Sequence, residues 1–404
     1  MAYESLDVIE QSSGVSRRGF LKSALVSAGL VSLAQYEAVA QMVGGPSARS
    51  VRGYGVPAGL VKISGNENAL GPSPRAVEAI LGMTSSVNRY GLAPDLYRKI
   101  ARRHGLPEVD ADSPFALPKN AWLSVGAGSS EILYTIAHMY FKEGDELVEV
   151  EPGFKFMARL GPQKGVKVVD VPLTADFRPD LSAMRNAINH KTKMVVVTTP
   201  GNPNGRLTHM EALKPFIESI PSSVVILVDE AYIDFARNPM DRIGAAPLIK
   251  DHPNVIVTRT FSKIYGMAGM RVGYALAQPD VINLLNSSRG NSLSVLSGYA
   301  ASAAMDDHDY VRRSRELVFD GKDYFYKELD AMGVEYIPSE SSFILINVRQ
   351  DADTVVDRLF KEYNVLVGNA NARWGIDNYI RVTAGLPEEN EVFIAALKKV
   401  LVAS

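Results

Sequence analysis

The chain has 404 residues, 46% hydrophobic and 22% charged, with a formal net charge of −2; these are the proportions of a soluble globular protein long enough for two domains. No block of like charge offers a footprint for nucleic acid or an anionic membrane, so any bound anion must be held locally by a few placed groups. Cysteine is absent, which excludes disulfide scaffolds, thiolate metal sites and cysteine nucleophiles; the scattered histidines (His104, His138, His190, His209, His252, His308) form no pair at metal-ligand spacing, so no metal is expected.

In chain order, Ser16-Arg17-Arg18-Gly19-Phe20-Leu21-Lys22 comes first, then an uncharged run from Ser23 to Tyr36, then Ala38-Val39-Ala40. This charged, apolar, small-residue order is too short for a stable membrane span. It resembles a twin-arginine export signal covering residues 1–40; a surface amphipathic helix that contains Arg17-Arg18 is the alternative. The resemblance implies cleavage after Ala40, a periplasmic or secreted product, and no membrane contact beyond the export machinery. Residues 41–60, rich in glycine and proline, read as a flexible lead-in.

Residues 61–84 are expected to pack with a smaller domain, and residues 85–305 to form a large one. Apolar runs at Met194–Thr198, Val224–Val228 and Val255–Thr258 read as strands buried on both faces, with Leu147–Val150 and Val166–Val171 as further candidates. Helical patterns lie between them at Glu131–Phe141, Leu181–Ile188 and Met210–Ile220. The alternation predicts an α/β fold, a mainly parallel sheet covered by helices. From residue 306 the pattern changes to a long charged helix, Val311–Met332, separate strands at Phe343–Val348, Asn364–Val367 and Tyr379–Thr383, and a last helix, Glu388–Val402: a smaller α+β domain.

Four segments just past predicted strands carry chemistry, at the edge where open α/β sheets bind ligands. Gly126-Ala127-Gly128-Ser129-Ser130 is a glycine-rich strand-to-helix turn whose backbone N–H groups can cradle a phosphate, although small residues also simply make turns. In Thr199-Pro200-Gly201-Asn202-Pro203-Asn204-Gly205 the prolines and glycines fix a loop that can hold the Asn202 amide at a set angle, or form a bare turn. Asp229 closes a buried strand, where a carboxylate is costly unless it meets a cation or stays in solvent; a protonated pyridine nitrogen is one such partner, with the Tyr232 phenol nearby. Lys263, in Thr260-Phe261-Ser262-Lys263, suits imine chemistry if its pKa is lowered, and Arg271 suits a phosphate dianion; a lone lysine is otherwise a solvated tail. The ordered set is what pyridoxal phosphate requires: a phosphate cradle, a ring-orienting amide, a pyridinium partner, an amine and a phosphate arginine.

From about Lys62 to Val400 the chain resembles the fold-type I pyridoxal-phosphate aminotransferases, in their histidinol-phosphate aminotransferase branch. The resemblance is carried by Asn66-Glu67-Asn68, Gly71-Pro72-Ser73-Pro74, Asn88-Arg89-Tyr90, Glu151-Pro152-Gly153-Phe154, Thr260-Phe261-Ser262-Lys263, Gly269-Met270-Arg271-Val272-Gly273-Tyr274 and Ile380-Arg381-Val382-Thr383-Ala384-Gly385. It implies that Lys263 holds the cofactor as a Schiff base and shuttles the proton, and that Asp229 keeps the ring nitrogen protonated. Tyr232 and Asn202 would bond the ring oxygen, and Phe154 would stack on the ring. Gly128, Ser129, Thr260, Ser262 and Arg271 would hold the phosphate. By the same resemblance Tyr90 reaches the phosphate of a neighbouring subunit, implying a homodimer, Arg381 grips an acidic group of the substrate, most often a carboxylate, and Asn68 also binds substrate.

Three departures bear on the substrate. Ala69-Leu70 replace the proline and tyrosine that usually follow Asn68, Gly368 stands where the family usually has an arginine for the phosphate of histidinol phosphate, and Asn204 replaces a common threonine. The expected function is therefore amino transfer from an L-amino acid to a 2-oxo acid, with histidinol phosphate a poor substrate. A decarboxylase, lyase or oxygen-dependent oxidase could use the same residues, and a non-catalytic module could keep the fold.

Overall fold

The strands of the described residues are, in chain order, β1 (Val61–Lys62), β2 (Leu123–Gly126), β3 (Glu146–Glu151), β4 (Lys167–Pro172), β5 (Thr192–Thr198), β6 (Val225–Asp229), β7 (Val255–Thr260), β8 (Gly273–Leu276), β9 (Tyr336–Ile337), β10 (Phe343–Asn347), β11 (Val365–Leu366), β12 (Gly368–Asn369) and β13 (Tyr379–Thr383). The structure, a computed structural model, describes residues 56–57, 59–109, 116–290 and 292–402. The expected export signal, residues 1–40, and the expected lead-in before Val56 lie outside the described residues.

The main sheet runs in the order β2-β8-β7-β6-β5-β3-β4. β4, β3, β5, β6 and β7 pair in parallel, whereas β8 is antiparallel to both β7 and β2. One reversed strand leaves β2 pointing the same way as the parallel set, so six strands end at one edge. Side chains alternate with the pleat: Ile226 and Val228 enter one core, Val225 and Leu227 the other. Helices cover both faces. Ile132, Leu133 and Ile136 of helix Ser129–Tyr140 pack in the second core with Ile282 and Leu285 of helix Pro279–Ser288; Leu96 and Ile100 of helix Pro94–Arg103 and Leu213 and Phe216 of helix Met210–Ser219 pack in the first.

The smaller sheet is antiparallel, in the order β12-β13-β10-β9. The long helix His308–Ala331 and helix Ala352–Tyr363 both pack against the C-terminal helix Pro387–Val402. The expected strand Asn364–Val367 is broken at Val367, because β11 pairs with β1 and β12 with β13. The segment 61–84 divides as well. β1 lies parallel to β11, and the Ile63 carbonyl accepts from Thr383 N–H, whereas helix Pro74–Met83 lies against helix Val295–Met305. The latter is lined with Gly298, Ala300, Ala301 and Ala304, small residues that let two helix backbones approach.

Candidate active site

Asp229 is the last residue of β6 and is buried. Loss of hydration pushes its carboxyl up to about 6; the Thr258 hydroxyl, which donates at 3.2 Å, and the Ala231 backbone N–H pull it down, while the neighbouring Glu230 raises it and Lys263 lowers it. A carboxylate so placed is stable as an anion only opposite a cation.

Beside it, β7 ends at Thr260, whose hydroxyl donates to Ser262 Oγ at 2.9 Å and accepts the Ser262 backbone N–H at 3.1 Å. Lys263 follows; its Nζ donates to the Asn66 carbonyl at 3.1 Å and lies 5.5 Å from the centre of the Tyr232 ring. The chain turns back through Arg271, in left-handed backbone (φ 53°), whose Nη1 donates to the Ala268 carbonyl at 3.0 Å. Across from it, Gly128 (φ 81°) caps helix Ser129–Tyr140, and a Cβ at Gly128 would collide with the Arg271 guanidinium. Glycine thus clears one end of the site, where helix N–H groups, hydroxyls and a guanidinium converge as an anion requires.

These groups share one cavity of ≈ 160 Å³. Ser129, Thr260, Ser262 and Arg271 are among the residues that line it, together with Asp229, Tyr232, Lys263, Asn202 and Phe154. The Tyr232 hydroxyl accepts from Asn66 Nδ2 at 2.9 Å, and Asn66 Oδ1 accepts from the Thr383 hydroxyl at 3.1 Å. Asn202 Oδ1 accepts from Arg381 Nη1 at 2.7 Å, and Arg381 Nη2 donates to the Ser64 carbonyl at 3.0 Å. The buried Arg381 guanidinium stacks 5.0 Å from Phe343 and 4.7 Å from Trp374, and its Nε has no acceptor among the described residues. Burial lowers the Arg381 pKa to about 10, with Tyr232 opposing the shift and Arg373 adding to it, so the group stays cationic at neutral pH.

Two residues stand elsewhere. Asn68 donates to the Ile264 carbonyl (3.1 Å) and to Ser314 Oγ (2.9 Å), so its amide ties the lysine segment to the long helix instead of facing substrate. Tyr90 is 94% exposed, beside Arg89, Leu92 and Val295 in a separate surface concavity of ≈ 400 Å³. The residue that the sequence reading passed over is Asn66, whose left-handed backbone (φ 54°) turns it toward Tyr232 and Lys263; asparagine's tolerance of that conformation was the available signal.

The sequence pattern of the family "Aminotransferase class I and II" matches residues 58–397. This chain belongs to the class I and II aminotransferases. The histidinol-phosphate aminotransferase of Symbiobacterium thermophilum is 38% identical over 348 residues, covering 85% of this chain and 91% of the relative. Histidinol-phosphate aminotransferase 2 of Pseudomonas aeruginosa is 37% identical over 385 residues, 94% and 98% of the two chains. Among solved structures, the histidinol-phosphate aminotransferase of Sinorhizobium meliloti in complex with pyridoxal-5'-phosphate superposes with a TM-score of 0.74 at 25% identity, covering 93% of this chain and 98% of the other. The fold is that of the fold-type I aminotransferases, the protein is a pyridoxal-phosphate-dependent aminotransferase, and its substrates are small amino and oxo acids. The cavity fits the cofactor on its own terms: a cleared anion cradle at one end, and at the other a buried carboxyl that has no ion-pair partner among the described residues.

Proposed function

We propose that this aminotransferase moves the amino group of an L-amino acid to a 2-oxo acid and that histidinol phosphate is not its main substrate. The observation that carries the reading is Gly368. It pairs with Arg381 in the β12–β13 ladder, and a Cβ there would lie 3.4 Å from Arg381 Cβ and 3.7 Å from its Nε. An arginine rooted at 368 would run alongside Arg381 and bring a second cation to the same place. Glycine leaves one buried guanidinium with an unsatisfied Nε, which suits a single carboxylate; a phosphate dianion would be left undercompensated.

Bound pyridoxal phosphate supplies an aldehyde carbon and an electron-withdrawing ring. Lys263 acts as the amine and as the base that carries the proton from the substrate α-carbon. Asp229 would hold the ring nitrogen in its protonated form, Tyr232 and Asn202 would orient the ring oxygen, Phe154 would cover the ring, and Arg381 would grip the α-carboxylate. The expected result is a kcat/KM for histidinol phosphate below that for at least one ordinary amino acid, with turnover that requires a 2-oxo acid and consumes no oxygen. A histidinol phosphate value above every amino acid tested sinks the substrate assignment.

The same proposal includes export by the twin-arginine route and a homodimer in which Tyr90 reaches the partner's cofactor phosphate. Support comes from the Arg17-Arg18 segment and from the exposure of Val87 and Tyr90 on one face. Mass analysis of the periplasmic fraction checks both points: the chain should begin at Gln41 and have the native mass of a dimer. A chain that begins at Met1, or a monomeric mass, counts against the corresponding half.

A further inference from the structure

A cluster of four charged side chains lies behind Phe154 and takes no part in the steps above. Glu149 and Glu151 project from the same face of β3, and Asp170 sits directly opposite Glu149 on β4. Like charges in such register repel unless a cation lies among them. Lys155 supplies it. Its Nζ is 2.6 Å from Glu151 Oε2 and 3.2 Å from Glu149 Oε1, and it also pairs with Asp170. Glu149 is almost fully buried; loss of hydration pushes its carboxyl up to about 7, opposed by Lys155.

The backbone at Lys155 is the second observation. With φ 53° and ψ 24° it is left-handed, a conformation that a residue with a long side chain avoids unless its surroundings impose it. This turn separates Phe154, which lines the cofactor cavity, from helix Phe156–Leu160. It also lays the Phe154 and Phe156 rings nearly parallel, 5.9 Å apart at 19°. A further small cavity behind Phe154 is lined by Glu149, Lys155 and Asp229 together, so the charge cluster and the cofactor site meet at this one ring.

We propose that Lys155 is a positioning residue for Phe154: three carboxylates clamp its ammonium against the β3–β4 ladder and so hold the left-handed turn that presents the ring to the cofactor. The proposal rests on Phe154 covering the cofactor ring. Its test is a double-substitution cycle read as pyridoxal phosphate affinity of the apoprotein, for the parent, Lys155→Met, Phe154→Ala and the pair. Lys155→Met is expected to raise the dissociation constant about 5–10-fold in the parent and less than about 2-fold where Phe154 is already alanine, because coupled residues are not additive. Lys155→Arg should return the constant to within about 2-fold of the parent, because the cation is kept. An equal factor in both backgrounds, or no change in either, overturns the proposal and leaves the cluster a matter of stability alone. An unchanged constant for Phe154→Ala overturns the ring-covering role beneath it. If Lys155→Met does not fold, Asp170→Asn at the exposed edge of the cluster takes its place in the cycle, with the same expected dependence on Phe154.

Discussion

Lys263→Ala is expected to abolish the visible absorbance of the lysine-bound cofactor and to lower amino transfer by at least about 10⁴-fold, because the proposed function makes one side chain both the covalent anchor and the base that moves the proton. Among the described residues the side-chain nitrogen makes one hydrogen bond, to the Asn66 carbonyl, and its loss costs only about 1 kcal/mol. The variant should therefore fold, melt within a few degrees of the parent, and still take up cofactor through the Gly128–Arg271 end of the cavity. Borohydride reduction of the parent holoenzyme should leave a pyridoxyl adduct on the peptide that contains Lys263. Its absence there, or an unchanged absorbance in the variant, refutes the anchor assignment.

Asp229→Asn carries two linked expectations of opposite sign. Turnover should fall by about 10³-fold, because a neutral amide no longer favours a protonated ring nitrogen and the ring withdraws electrons less well. The apoprotein, by contrast, should become more stable at alkaline pH. The Asp229 carboxyl titrates at about 6 in the folded chain against 3.8 for an ordinary aspartate. Between those values the folded state binds more protons than the unfolded state, so stability falls as pH rises through that window, and the whole penalty, on the order of 3 kcal/mol, is present above it. Asparagine carries no charge to bury. Thermal melts of the two apoproteins should differ in favour of the variant at pH 8 and converge near pH 4. A parent apoprotein that melts higher than the variant at pH 8 would show that some cation of the protein already neutralises Asp229.

The legible parts of this chain are those where one residue's surroundings are written next to it. β5, β6 and β7 carry the apolar runs Met194–Val197, Val225–Val228 and Val255–Val257 because both faces of the sheet are covered, and Asp229, Thr260 and Lys263 lie at or just past the strand ends, so the strand reading located these side chains directly. β8 went unseen because Gly273-Tyr274-Ala275-Leu276 has neither the length nor the β-branched residues of a strand; its pairing on both sides makes it one. The choice between Asn66 and Asn68 turns on a single backbone angle within three residues. The Arg381–Asn202 hydrogen bond joins residues 179 positions apart, and the charge cluster at Lys155 depends on the register of β3 against β4. Neither has a local signature, since each arises only when distant segments are packed together.

The reversal of β8 has a mechanical consequence. A parallel crossover after β7 would have needed a helix-length excursion before the chain returned to the sheet. Instead the chain comes straight back at the same edge, so residues 261–272 alone separate the end of β7 from the start of β8. The amine proposed to anchor the cofactor and the guanidinium proposed to face its phosphate therefore share one short span, tied down by strands at either end. Their spacing acts as a fixed ruler: adding or removing one residue within it would displace one grip relative to the other, whereas the longer connections elsewhere around the sheet can change length without disturbing that pair.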